Sequence, residues 1–209
     1  LTTHGLARLS KRLVSTGVID VVSTAAPGID DILVLGKLKQ IEREVGPDGP
    51  LDLVVVDGPA AGHAITFLQS ARGLLDAVRA GPISAQARDV MEMLGDPARC
   101  QVLLVTLPEA TPVNELVETA YALEDRVGVQ LWPVVVNAVD QGEPLTAPAG
   151  VATPPAAAAG AALAAAAQFR TERRAMHRAE VERLSLLLPL PQLHLPLVPT
   201  AGLGAEDVV

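Results

Sequence analysis

The stretch LDLVVVDGPAAGH, residues 51–63, has the composition of a buried strand followed by a ligand-binding loop. Its β-branched apolar run is typical of a strand covered on both faces of a parallel sheet. The run ends at Asp57, and Gly58, Pro59 and Gly62 predict a turn before a helix. Open α/β sheets bind ligands at the carboxyl ends of such strands. Asp57 is therefore either a ligand-binding carboxylate or only the N-cap of a loop or helix.

Further apolar runs predict strands at residues 101–107, 131–136 and 192–197. Helical patterns separate these runs, and strands that alternate with helices are typical of βαβ units. The predicted fold class is therefore α/β, with a doubly wound, mostly parallel sheet flanked by helices. Pro133 is awkward in a central strand, so the start of its strand is expected to lie outside the hydrogen-bonded ladder.

Local residues also predict where helices begin. Asp30 and Asp31 suit the first turn of one helix, because negative charge there complements the helix dipole. Ser84 is predicted to cap a second helix, and Thr111, followed by Pro112, a third. The apolar residues expected to face inward are Ile29, Ile32, Leu33, Leu38 and Ile41 on the first helix, Val90, Met91 and Leu94 on the second, and Val113, Leu116, Val117, Ala120 and Leu123 on the third.

Composition narrows the class of protein. The chain has 209 residues, of which 49% are hydrophobic and only 2% aromatic, so we expect a single domain, 1–209, with an aliphatic core. A formal net charge of −8 argues against non-specific nucleic-acid binding. Cys100 is the one cysteine, which excludes an internal disulfide and a paired-cysteine metal site. The sequence shows neither a transmembrane segment nor a signal peptide, so we expect a cytoplasmic protein.

A Pro- and Ala-rich insertion is predicted at about residues 141–167. Its proline-containing first half is predicted to be a loop, and its alanine run could extend a helix that starts near Leu163. Arginine and glutamate side chains follow on that helix. We interpret them as a solvated helix face rather than as a specific partner site.

Several segments resemble, in the right order, those of the ArsA-type ATPases, a P-loop family that includes the arsenical-pump ATPase and the guided-entry ATPase for tail-anchored membrane proteins. DGPAAGH resembles the family's switch II segment, Asp-Thr-Ala-Pro-Thr-Gly-His. AGPISAQAR is similar to a stretch of the actinobacterial anion-transporting ATPase subgroup. The other similar segments are APGIDDILVLGKL at 26–38, LPEATPVNELVETAYAL at 107–123, VVVNAV at 134–139 and LPLVPTAGLGAEDVV at 195–209.

The resemblance implies ATP and Mg²⁺ as cofactors and assigns roles at the phosphate end of the site. Asp57 would be catalytic and would hold a water that coordinates Mg²⁺. Gly58, Pro59 and Gly62 would bind nucleotide, since a residue without Cβ lets backbone N–H groups approach the γ-phosphate.

The resemblance also assigns roles at the base end of the site. Asn137 would pair with adenine, because its amide both donates and accepts. Pro199 and Thr200 would place backbone beside the base. Glu109 would contact nucleotide or a partner subunit.

The chain also departs from the family pattern. The family's P-loop, Lys-Gly-Gly-x-Gly-Lys-Thr, is absent, and Gly36 and Lys37 lack the preceding glycine. The family's switch I aspartate also precedes the region of resemblance, and Ala60 and Ala61 replace other switch II residues. Either the N-terminal P-loop part is missing, so that the P-loop fold is incomplete, or the chain is a short relative that has lost hydrolysis.

Three functions follow from these observations. The first is an ATPase that couples nucleotide state to partner or client binding, for anion transport or membrane-protein targeting, as a homodimer or a heterodimer with a related ATPase. The second is a non-catalytic, ATPase-like scaffold subunit that pairs with an active homologue. A MinD- or ParA-like positioning ATPase fits less well, because the chain is acidic and lacks a C-terminal basic amphipathic helix.

Overall fold

The computed structural model describes residues 29–78, 80–143, 145, 154–198, 202 and 204–207. A π-helical turn, Leu123–Val127, follows the fourth helix, and a 3₁₀ turn, Ala205–Asp207, lies near the end of the chain. The helices are α1 (Ile29–Glu42), α2 (Ala61–Ala77), α3 (Pro82–Gly95), α4 (Ala110–Ala122) and α5 (Pro154–Leu187). The strands are β1 (Gln101–Val102), β2 (Val105–Thr106), β3 (Gln130–Leu131), β4 (Val134–Val139) and β5 (Gln192–Pro196).

The chain divides into two compact units. The helical unit comprises Leu1–Gln101 and Ala122–Gln130, and the sheet unit comprises Val102–Tyr121 and Leu131–Val209. Within the helical unit, α1, α2 and α3 contact one another, and the π-helical turn packs on α2. The side chains buried in this unit include Leu35, Ala71, Val90, Leu94 and Leu123.

Two ion pairs hold α1 to the α3 region of the helical unit. The Lys39 ammonium, buried although it is charged, donates to the Asp89 carboxylate on α3. This hydrogen bond lowers the pKa of Asp89. At the end of α1, Arg99 donates from Nε and Nη2 to the two Glu42 carboxylate oxygens, at 2.8 and 3.0 Å. Such a two-bond pair fixes orientation as well as distance.

The helices form where the sequence predicts them, but some of their details differ. The inward side of α1 carries Leu35 and Lys39, one turn apart, whereas Leu33 is 59% exposed, so the prediction for Leu33 was wrong. On α3, Val90 and Leu94 are buried as expected, but Met93 is buried instead of the half-buried Met91.

Two predicted caps were also wrong. The residue before α3 is Gly81, with φ 101°, a conformation that suits glycine, and Ser84 lies buried inside the helix. The fourth helix begins at Ala110, so Thr111 is a helical residue rather than an N-cap. The apolar stripe of α4 is confirmed, because Val113, Leu116 and Ala120 are all buried.

The sheet unit contains a three-stranded parallel sheet with the order β2-β4-β5. Val105 pairs with Val135, and Val135 in turn pairs with Leu193. Val134 and Val136 on the central strand are fully buried. Pro133 lies between β3 and β4, which confirms that it stays outside the ladder. The structure is therefore α/β with parallel strands flanked by helices.

The predicted strand at residues 101–107 is less regular and less buried than expected. It forms two short pieces, β1 and β2, separated by residues 103 and 104. Leu104 and Thr106 are buried, whereas Leu103 is 47% and Val105 60% exposed. The alternation shows that only one face of this segment is covered.

The predicted buried strand at residues 51–56 was wrong. Leu51 makes a single parallel bridge to Val45, and the residues that follow it form no strand. Leu53 is 75% and Val55 83% exposed. Composition favours a strand here, but a strand also needs a neighbour for its backbone hydrogen bonds, and the described residues provide none beyond that bridge.

The alanine run does extend a helix, which begins earlier than predicted, at Pro154 rather than near Leu163. No helix in the described ranges is both long and apolar enough to cross a membrane. Residues 1–28, which include the start of the APGIDD segment, lie outside the described residues, as do Pro199 and Thr200.

The inward face of α1 can be tested with a matched pair of substitutions. Leu35→Ala removes a fully buried side chain and is expected to lower the free energy of unfolding by about 2–5 kcal/mol. Leu33→Ala, on the exposed side of the same helix, should cost less than about 1 kcal/mol. Chemical denaturation of both variants measures the difference, and equal losses would contradict the observed helix orientation.

Candidate functional site

In the helical unit, Asp57, Gly58 and Pro59 lie exposed on the segment that leads into α2. Asp57 is not the N-cap of that helix, because Ala60 holds the position and makes no side-chain capping bond. The expected turn does not form: residues 53–60 have no assigned turn, and neither Gly58 nor Gly62 has a positive φ. The first N–H groups of a helix have no intrahelical acceptor, so the start of α2 has donors to offer a ligand.

The glycines of this segment have no structural role that the described residues reveal. A Cβ added to Gly58 or Gly62 would meet no described atom within 4 Å. Glycine is therefore not needed there for packing against the described part of the chain. Asp57, Gly58, Pro59 and Gly62, here called the Asp57 segment, are all exposed to solvent.

In the sheet unit, Glu109 and Asn137 lie at the same edge of the parallel sheet. The register places Thr106 opposite Val136, so the segments that follow these two residues emerge together at the carboxyl edge. Asn137 is exposed there. It lies within β4, which continues to Val139, so the predicted end of the strand at residue 136 was wrong. The carboxyl edge of a parallel sheet is the place where open α/β folds bind ligands.

A local irregularity of β4 shapes the surroundings of Asn137. The pairing with β5 shifts register between Val136 and Val139, and Ala138 has a φ of 57°, uncommon for a residue with a Cβ. The Asn137 Oδ1 atom accepts a hydrogen bond from the Ala138 N–H at 2.8 Å. The side-chain oxygen of Asn137 therefore supports the bend. Its amide NH₂, a donor, has no acceptor within the described part of the chain.

Helix α5 makes charged contacts with the strand-end loops of the sheet unit. The Arg173 Nη2 lies 3.5 Å from the Glu109 Oε1, and the Arg173 Nε donates to the His177 Nε2 at 3.2 Å. Arg183 donates to its helix neighbour Glu180 at 2.6 Å. The interpretation of the α5 charges as a solvated face was therefore incomplete, because some of them contact the loops that follow the strands.

Asp140, just after β4, is the most strongly held carboxylate of this group. Arg170 donates to its two oxygens at 2.6 and 2.7 Å, and the Gly142 N–H donates to one of them at 3.1 Å. Arg174 donates to the Gly142 carbonyl at 2.8 Å. The hydrogen bond from Arg170 is the main reason that the pKa of Asp140 falls from 3.8 to about 2.

His177 and the α5 arginines were missed by sequence reasoning. The available signal was the spacing: Arg170, Arg174 and Arg178 recur every four residues on one side of a helix, as do Arg173 and His177. Spacing alone did not show which loop that side would meet.

The Asp57 segment fits Mg²⁺ only in a supporting role. The described residues contain no group of three or more His, Cys, Asp or Glu side chains that could hold a metal ion. Mg²⁺ is commonly bound by one or two carboxylates, with water and substrate phosphates completing the shell. The exposed Asp57 carboxylate fits that pattern, with nucleotide supplying the remaining oxygens.

Comparison with known proteins connects these features to ATPases, although no family model matches the chain. ATPase BagA of Mycobacterium tuberculosis is 33% identical over 125 residues, which is 58% of this chain and 36% of that protein. The arsenical pump-driving ATPase of Escherichia coli is 33% identical over 114 residues, 54% of this chain and 18% of that protein.

A Halobacterium salinarum protein named as an arsenical pump-driving ATPase is 25% identical over 194 residues, 88% of this chain and 26% of that protein. The matched part of the chain thus spans 36% or less of the length of these curated relatives. Their names support an ArsA-like ATPase family.

The Asp140–Arg170 pair predicts a defined pH dependence. Because the folded-state pKa of Asp140 lies below its ordinary value, the pair stabilises the fold above pH 3.8, and this stabilisation is lost as pH falls toward about 2. In Arg170→Gln, the pKa of Asp140 should return toward 3.8, and the stability deficit of the variant at neutral pH should shrink with acidification. Carbon-detected NMR titration of Asp140 and denaturation at several pH values measure both effects.

The matched control is Arg72→Gln, which changes an exposed arginine on α2. It should leave the pKa of Asp140 unchanged. A pKa near 3.8 in the unsubstituted protein would contradict the ion pair.

Proposed function

We propose that the chain is part of an ArsA-like ATPase of the actinobacterial anion-transporting subgroup. The intact protein would bind ATP with Mg²⁺, hydrolyse it, and couple nucleotide state to the binding of a partner or client. One structural observation carries the proposal: Asn137 is exposed at the carboxyl edge of the parallel sheet, and its amide NH₂ has no hydrogen-bond acceptor among the described residues. The similarity to named ATPases supports it.

Asn137 would contribute specificity for adenine. An amide both donates and accepts, and adenine presents the complementary pair at N6–H and N7. Guanine presents two acceptors at the corresponding positions, so the same amide would discriminate against it. Glu109, at the same edge, would contact nucleotide or a partner subunit, and Pro199 and Thr200 would place backbone beside the base.

The Asp57 segment would serve the phosphate end of the nucleotide. Gly58, Pro59 and Gly62 lie just before or within the first turn of α2, where a helix N-terminus favours an anion. Asp57 would orient a water bound to Mg²⁺. The metal would neutralise charge that develops on the phosphates during hydrolysis.

Two E. coli relatives and others are named as drivers of an arsenical pump. By analogy, the intact protein would act in anion transport, or in membrane-protein targeting, as a homodimer or a heterodimer with a related ATPase. The alternative is a non-catalytic scaffold subunit. This alternative is compatible with the 209 residues, which contain no P-loop motif to hold the phosphates.

Nucleotide selectivity tests the role of Asn137. Asn137→Asp keeps an oxygen that can accept the Ala138 N–H but removes the amide donor. It is expected to weaken ATP binding by about 1–3 kcal/mol relative to GTP binding, since the hydrogen bond from Asn137 to the bound adenine is lost. Any repulsion from the added charge acts on both nucleotides, so the ratio of the two affinities isolates base recognition. Calorimetric titration measures both.

Asn137→Ala serves as the structural comparison, because it also removes the bond to Ala138 and should lower the melting temperature. Equal losses of ATP and GTP affinity in both variants would remove the adenine assignment.

The absence of a P-loop motif predicts that the 209-residue chain alone does not hydrolyse ATP. Phosphate release in the presence of ATP and Mg²⁺ should equal that of a control without protein, because no glycine-rich loop and lysine stabilise the transferred phosphoryl group. A coupled phosphate-release assay measures this. Turnover that depends on both ATP and Mg²⁺, and that disappears in Asp57→Asn, would contradict the prediction.

A further inference from the structure

A cavity of about 180 Å³ lies in the sheet unit beside α5. Two valines form apolar parts of its wall. The polar lining consists of Asp140, Arg174, His177, Arg178 and His194. Among the described residues that the sequence singles out as nucleotide ligands, namely Gly58, Pro59, Gly62, Glu109 and Asn137, none lines it.

His177 carries an unpartnered polar atom in this lining. The residue is only 7% exposed, and its Nδ1 has no hydrogen-bond partner among the described residues. Its Nε2 accepts from the Arg173 guanidinium, which can only donate, so a neutral ring must carry its proton on Nδ1. Burial, followed by the charge of Arg173, lowers the pKa of His177 and favours this neutral form. A buried N–H donor without an acceptor is rare in native proteins.

The charges around the cavity favour an anion. The Asp140 carboxylate is already bound by Arg170 through two hydrogen bonds. Arg174 uses one nitrogen on the Gly142 carbonyl, and its other donors have no acceptor among the described residues. Arg178 has no hydrogen bond or ion pair within the described part of the chain. Two arginines therefore line one cavity beside the buried His177, in a chain whose formal net charge is −8.

We propose that this cavity binds a small tetrahedral oxyanion, either free phosphate or the phosphoryl group of a larger ligand. The planar guanidinium groups of Arg174 and Arg178 can each donate two parallel hydrogen bonds to such oxygens. The ring of His177 lines the same cavity and lies beside the bound anion. The valine walls, Val139 and Val181, exclude water on one side and strengthen these interactions. The site does not depend on the proposed ATPase function.

The test uses the full 209-residue chain and inorganic phosphate as the probe. Calorimetric titration should show saturable binding at one site, and the ¹⁵N resonance of the His177 Nδ1 should shift as phosphate is added. Arg178→Gln should weaken binding about tenfold or more, and Arg178→Lys less, because lysine keeps the charge but not the fork. Arg126→Gln, an exposed arginine in the helical unit, is the matched control and should bind like the unsubstituted protein.

A second titration identifies the source of the oxyanion. If ATP displaces phosphate from the cavity and Arg178→Gln abolishes that competition, the ligand is a phosphoryl group of nucleotide. If phosphate and ATP bind independently, the ligand is free phosphate, and this result stands whether or not Asn137 reads adenine. No saturable phosphate binding, or equal affinity in Arg178→Gln and the unsubstituted chain, would overturn the proposal, as would a His177 resonance that does not respond.

Discussion

The pairing of β4 with its two neighbours is the constraint on which the sheet unit depends. This strand is central in the order β2-β4-β5, and Val134 and Val136 on it are fully buried. Its carboxyl end is therefore held in place, with Asn137 inside the strand and Asp140 directly after it. The bend at Ala138, with its positive φ, is tolerated because hydrogen bonds on either side of it hold the backbone.

Helix α5 places charged side chains beside this edge of the sheet. Its arginines contact two loops, one after β2 through Glu109 and one after β4 through Asp140. Leu184, in its last turn, and Leu188, directly after it, are buried. The ion pairs orient the loops, which is why the pKa of Asp140 falls so far.

The two proposals concern neighbouring parts of one sheet edge. Asn137 would read a base, and the oxyanion cavity begins two residues later, at Val139. Asp140 links them, because it lines the cavity and is held by the same helix that supplies the arginines. The Asp57 segment belongs to the helical unit and presents its carboxylate on an extended, exposed backbone.

The sequence by itself determined the elements that depend on local interactions. Spacing, charge and backbone chemistry that act within a few residues predict helices α1 to α4 and the strand at 192–196. They also predict that Pro133 stays outside the ladder. The α/β class follows from the order of these elements. The single-domain prediction and the doubly wound sheet stay predictions.

Only the tertiary structure decided which segments gain partners. The apolar run at 51–56 has the composition of a buried strand, yet a strand exists only where another backbone completes its hydrogen bonds, and composition cannot supply that neighbour. The inward orientation of the Lys39 side chain likewise depends on Asp89, fifty residues away in the sequence. The surroundings of His177 were decided in the same way, because Arg173 occupies one ring nitrogen and packing buries the other. Such contacts join residues that are distant in sequence or depend on burial, and no local pattern encodes them.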